Sequence, residues 1–178
     1  MLPILLALAF MLLLLVVVIA GQPDEFIVSR RMEISAPPEQ IFPHVNELRN
    51  WEAWNPWGKL DPNCEITYGG PSAGVGASYA WVGNNKVGEG RITITESTAD
   101  QRVCLRLEFA RPMKATNVAE FTFQSKAGGT VVAWTMSGKT NFVARVFGLL
   151  VNCDRMCGSQ FEKGLAQMKS LVEAGVVA

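Results

Sequence analysis

One histidine, His44, and four cysteines, Cys64, Cys104, Cys153 and Cys157, are the side chains of this 178-residue chain best suited to proton transfer, nucleophilic attack or metal binding. An unperturbed imidazole titrates near neutrality, so His44 is the natural candidate for a general base. It stands beside Pro43 in a short helical stretch, where an exposed or capping role is the expectation. No spacing links it to the cysteines, so no metal site is expected. If the C-terminal segment is helical, Cys153 and Cys157 lie one turn apart. Their β-carbons are then about 5–6 Å apart, too far for an unstrained disulfide. Small buried or half-buried thiols are the expectation. Glu89 and Arg91 flank Gly90; if Ile92 points inward, both face outward and make a solvated ion pair. Glu120 falls on a polar strand face for the same reason. The chain has no nucleophile elbow, metal-ligand cluster or phosphate loop. No catalytic residue and no cofactor are expected, and the reading leans away from an enzyme.

The elements that position these residues follow from periodicity. Phe26 to Ile34 reads as a strand. Ser35-Ala36-Pro37-Pro38-Glu39 suits a helix entry, with prolines ahead of an acidic first turn. Ile41, Phe42 and Val45 give that helix an apolar side, and Pro43 should kink or shorten it. A second short helix carries Leu48, Trp51 and Trp54 and stops at Asn55-Pro56. From Cys64 onward the period is two. Ile66 and Tyr68 precede a loop, Gly69 to Gly76, and Tyr79 and Trp81 precede a turn at Gly83-Asn84-Asn85. Further alternating runs are Ile92 and Ile94; Val103, Leu105, Leu107 and Phe109; Ala119, Phe121 and Phe123; and Val132, Trp134 and Met136. Short turns between them predict an antiparallel meander with one face buried. Asn141 to about Val172 returns to helical period, with Val143, Phe147, Leu150, Phe161, Leu165, Met168 and Val172 as the stripe. Gly175 is the expected stop.

Met1 to Ala20 carries no charged side chain. Nineteen helical residues at about 1.5 Å each reach roughly 28 Å, close to the thickness of a bilayer core. A retained transmembrane anchor over residues 1–21 is the expectation; a cleaved signal is the rival, but the segment lacks a basic start. Residues 22–25 form a linker and 26–175 one domain. The implied localisation is a single-pass protein of a bacterial inner membrane. Arg30 and Arg31, the basic residues near the span, lean the reading towards a cytoplasmic domain and leave its side open. Sixteen acidic and sixteen basic side chains cancel, and their scatter excludes a nucleic-acid partner.

Three segments carry a resemblance to a known family. Ile34 to Phe42 pairs a strand end with a proline turn and an apolar-Phe helix. Trp51-Glu52-Ala53-Trp54-Asn55-Pro56-Trp57 is tryptophan-rich. Gly74 to Trp81 and Gly83 to Gly90 form a glycine-rich strand-turn-strand. Together they resemble the START-like SRPBCC superfamily, the polyketide cyclase/dehydrase and lipid-transport group, and in particular its membrane-anchored bacterial members. The resemblance covers about Phe26 to Ala174; Pro43 inside the first helix departs from it. It implies an α+β helix-grip fold, a curved antiparallel sheet of about seven strands around a long C-terminal helix. It also implies a cavity for an apolar small molecule or lipid. The apolar faces nominate its lining: Tyr79, Trp81, Ile92, Ile94, Leu105, Leu107, Phe109, Phe121, Phe123, Trp134, Met136 and Phe147. Aromatics line pockets as readily as they fill cores. The expected function is a membrane-tethered, non-catalytic binding domain for a hydrophobic molecule. A cyclase/dehydrase-like enzyme and a solid-core interaction module are the alternatives. The Trp51, Trp54, Trp57 cluster is expected to pack the short helices onto the sheet, with a cavity mouth or membrane interface as the other reading.

Overall fold

The period-two runs form seven strands in a single antiparallel sheet. A computed structural model describes residues 2–140 and 153–175, apart from the side chains at 2, 5, 7, 8, 12, 15 and 153. The strands are β1 (Glu25–Ile34), β2 (Glu65–Gly69), β3 (Ser78–Val82), β4 (Glu89–Thr98), β5 (Arg102–Arg111), β6 (Ala115–Lys126) and β7 (Gly129–Lys139). Their spatial order is β1-β7-β6-β5-β4-β3-β2, a meander closed at one end by the N-terminal strand. The helices are α1 (Leu2–Ala20), α2 (Pro38–Ile41), α3 (Pro43–Asn46) and α4 (Cys153–Glu173). Two 3-10 turns, Leu48–Ala53 and Pro56–Leu60, lie between α3 and β2.

Pro43 acts as expected. It starts α3 where α2 ends, so the predicted helix is two single turns. The Trp51-Trp54 segment is a 3-10 turn ending before Asn55-Pro56, and Asn55 accepts a hydrogen bond from the Trp57 amide. At the far end Gly175 has φ +71°, and its amide bonds to the Val172 carbonyl. That left-handed residue stops α4 where glycine was expected to.

One face of the sheet is closed by α4 and the short helices. The α4 stripe Phe161, Leu165, Met168, Val172 is buried, and α4 packs chiefly on β1. Trp134 is sandwiched between Phe121, 4.8 Å away, and Phe161, 4.1 Å away with the rings 9° from parallel. Trp51 and Trp54 meet Phe121 and Trp134 edge-on, and Trp57 meets Trp134 and Phe161. The tryptophan cluster therefore does pack the short helices onto the sheet. Each such contact adds about 0.5–1.5 kcal/mol beyond area burial.

Both ends of α4 are fastened to β1. Near its start, Arg30 donates from Nε to Glu162 (2.7 Å) and from its terminal nitrogens to Asp154 (3.0 Å). Near its end, Lys169 donates to the Glu33 carbonyl (2.7 Å) and Glu173 accepts from the Ser35 amide (2.8 Å). The Arg30 guanidinium holds the Asp154 carboxyl below its usual range, and the Ser35 amide does the same for Glu173.

Two expectations at the N-terminus are corrected. Leu2–Ala20 is helical, yet among the described residues no helix is long and apolar enough to cross a membrane. The transmembrane helix, and with it the single-pass inner-membrane localisation with a cytoplasmic domain, is not what the described structure contains. On the outer sheet face, Glu89 pairs with Arg111 (2.7 Å) rather than with Arg91, because a register shift that leaves Ala110 of β5 unpaired sets Arg111 directly across from Glu89. Glu120 does lie on the polar face, ion-paired with Arg102.

Candidate functional site

Side chains on the covered face divide into a sealed half and an open half. Leu105 and Phe121 are fully buried and Ile94 is 1% exposed. Phe123, Trp134 and Met136 are nearly as enclosed. These six nominated residues are the solid core that locks α4 and the short helices together. Phe147, with Val143 and Leu150, lies outside the described residues.

The other half is built on β2 to β5. Cross-strand register sets Tyr68 opposite Tyr79 and Tyr79 opposite Ile92. Ring centroids step from Tyr68 to Tyr79 (5.7 Å), to Trp81 (6.0 Å) and to Phe109 (5.6 Å). Tyr79, Trp81 and Ile92 are buried, but Tyr68, Leu107 and Phe109 keep part of their surface open. The row thus begins and ends on accessible apolar surface. Trp81 is fixed by its own indole, which donates to the Val87 carbonyl at 3.0 Å. Asp61 braces the same hairpin: its carboxylate accepts from the Asn84 amide at 2.7 Å and from the Asn63 amide at 3.1 Å.

The electrostatics of this half are quiet. Burial pushes the Tyr79 phenol up to about 12, so it stays protonated. The Tyr68 phenol is raised further, by burial and by donating to Glu52 at 2.6 Å. Arg49 stacks over the Tyr68 ring, 4.4 Å from its centre. A pocket of about 210 Å³ opens beside Tyr68, against Arg49 and the Gly69-Gly70 loop. A larger groove of about 510 Å³ runs along the outside of α4, between Lys59, Lys163 and Leu171. None of the nominated aromatic residues lines either space.

His44 departs from expectation. It is 2% exposed, because α2 and α3 are pressed onto the sheet so that Ile41, Phe42 and Val45 are buried with it. Burial lowers its pKa, and its Nδ1 has no hydrogen-bond partner. A neutral, sealed imidazole has no route to a substrate. Among the described residues no three His, Cys, Asp or Glu side chains gather as a metal site.

Sequence reasoning missed three inner-face residues. Arg30 follows Val28 at period two, and Phe26 precedes it by the same rule. Asn117 extends the 119-121-123 alternation by one step, with 9% exposure. A polar residue at an apolar period was the signal in two of these three cases.

The sequence matches the family model described as polyketide cyclase / dehydrase and lipid transport over residues 25–173. Among curated proteins none matches. Solved structures share the fold at low identity. Protein CV1439 from Chromobacterium violaceum is 15% identical, with a TM-score of 0.60 over 85% of this chain and 99% of that one. The Aha1 dimer from Colwellia psychrerythraea is 18% identical, with a TM-score of 0.61 over 84% and 98%. Protein Ms6760 from Mycobacterium smegmatis is 19% identical, with a TM-score of 0.59 over 84% and 92%.

Proposed function

The chain belongs to the polyketide cyclase / dehydrase and lipid transport family, and from that membership we propose that residues 26–175 are one domain that binds a hydrophobic small molecule without transforming it. The observation that carries this reading is the aromatic row Tyr68, Tyr79, Trp81, Phe109, which leaves surface open at both ends while Ile94, Leu105, Phe121 and Trp134 of the same face are sealed. Rigid aromatic walls lose little conformational entropy on binding and offer large areas to an apolar ligand. Leu107 and Ile92 extend the wall.

The polar groups on that face support a reading without a reaction. Arg30 is held by two carboxylates, and Thr130 donates to the Ala36 carbonyl at 2.8 Å. Asn117 carries an amide, which neither takes up nor releases a proton near neutrality. General acid–base work is best served by a group titrating near the working pH, and burial raises both phenols of this row, Tyr68 and Tyr79, well away from neutrality.

Titration of the full chain with the hydrocarbon fluorophore diphenylhexatriene tests the reading. Saturable binding, weakened at least fivefold by Phe109→Ala, is the expected result. Binding that is absent, or indifferent to Phe109, overturns it.

A further inference from the structure

We infer that Asn117 is the recognition group of this face, and that the preferred ligand is an apolar molecule bearing a neutral carbonyl or hydroxyl group rather than an anionic lipid. The inference rests on the binding reading above. Cross-strand register places Leu107 opposite Asn117, Asn117 opposite Gly138, and Gly138 opposite Phe26. These four residues form one lateral row on the inner face of β5, β6, β7 and β1. Its two ends, Leu107 and Phe26, are half-buried and apolar. Its middle is a primary amide beside a residue with no side chain.

Gly138 is what lets the amide lie there. A β-carbon at that position would collide with Asn117 Oδ1 and would come within 2.8 Å of the Phe26 ring. Asn117 therefore leans across the bare backbone towards Phe26, held between apolar neighbours. Its side chain makes no hydrogen bond to a described residue, yet it is not one of the sealed orphans, which among the described residues are His44 Nδ1 and Trp134 Nε1. The amide consequently reaches open space while most of the residue is buried. A polar group in such a position gives up part of its hydration, and a ligand that restores the lost hydrogen bonds gains on one that cannot.

The chemistry of the group sets the class. An amide donates through nitrogen to a carbonyl and accepts through oxygen from a hydroxyl, and it offers no charge. An anionic headgroup would need a free cation nearby. Arg30, the inner-face cation of this half-sheet, is already bound by Asp154 and Glu162.

Three probes test the inference on the full chain: prodan, a neutral naphthyl ketone; diphenylhexatriene, a hydrocarbon; and parinaric acid, an anionic fatty acid. Wild-type protein is expected to bind prodan, and Asn117→Leu to weaken it about tenfold while leaving diphenylhexatriene within about twofold. Asn117→Asp keeps the size but removes the donor, and covers the case in which the leucine variant does not fold; it too should lose prodan. Unchanged prodan affinity in a folded variant overturns the role of Asn117 and leaves the binding reading intact. Parinaric acid binding more tightly than prodan overturns the neutral class. A wild-type chain that binds none of the three overturns the binding reading itself, and this inference with it.

Discussion

The guanidinium of Arg30 lies against the bare Cα of Gly158, on the line between Asp154 one turn earlier and Glu162 one turn later. A β-carbon at residue 158 would run into the guanidinium carbon and nitrogens. The glycine is thus the floor of an arginine clamp that binds the open edge of the sheet to the start of α4. Arg30 sits opposite Trp134 in the register, so the clamp is continuous with the stacked Phe121-Trp134-Phe161 core.

Gly158→Ala should destabilise the protein, although alanine is better than glycine in a helix by about 1 kcal/mol. In an Arg30→Ala background the same substitution should become stabilising, by up to about that amount, because the space is then empty. Urea unfolding of the four proteins of the cycle measures this sign reversal. The same sign in both backgrounds would show that the clamp is not what requires glycine.

Sealed and open residues of the nominated wall should respond differently to truncation. Leu105→Ala, at a fully buried site, should cost about 2–5 kcal/mol of stability. Phe109→Ala should cost less, roughly 1–2 kcal/mol, and should act mainly on affinity for apolar probes. Thermal unfolding and diphenylhexatriene titration of the two variants separate these effects.

Acid should weaken the fold through His44. Its folded pKa lies below the unfolded value of 6.5, so the unfolded chain takes up the proton first. No contribution exists above about pH 6.5; stability then declines as pH falls from 6.5 towards the folded value, by at most about 1.4 kcal/mol per pH unit. His44→Gln should flatten the unfolding free energy across that window. Asp154 and Glu173, held below 3.8 and 4.5, add a separate loss at lower pH as they protonate.

Asp61→Ala should free the β3–β4 hairpin. Its carboxylate bonds to the Asn84 and Asn63 amides while 8% exposed, and hydrogen bonds to a charged group contribute about 1.5–3 kcal/mol. A loss of about 2 kcal/mol is expected, with amide hydrogen exchange accelerated at Asn84, in the turn after β3, more than within β3 itself. Uniform acceleration across the sheet would mean a global rather than a local effect.

Much of the architecture could be read from the chain alone, because it depends on local rules. Alternation at period two assigned the strands and their inner faces, Pro43 and Pro56 marked helix limits, and Gly175 supplied the left-handed stop. Every nominated wall residue that the structure describes does lie on the inner side of the sheet. The ion pair assigned to Glu89 differed because a bulge in the neighbouring strand, at Ala110 of β5, sets Arg111 across from it.

What covers each inner face depended on the tertiary structure. Period two states which way a side chain points, not what meets it there. Phe121 and Phe109 obey the same alternation, yet one is sealed by Trp51, Trp54 and Trp134 from distant segments while the other stays half open. His44 is buried because its helix is pressed onto the sheet, and Arg30 finds Asp154 across 124 residues of sequence. Asn117 acquires its place from Gly138, which only strand pairing sets beside it. Such contacts are created by packing between segments that carry no local signal of one another, and on them the choice between core and binding surface depends.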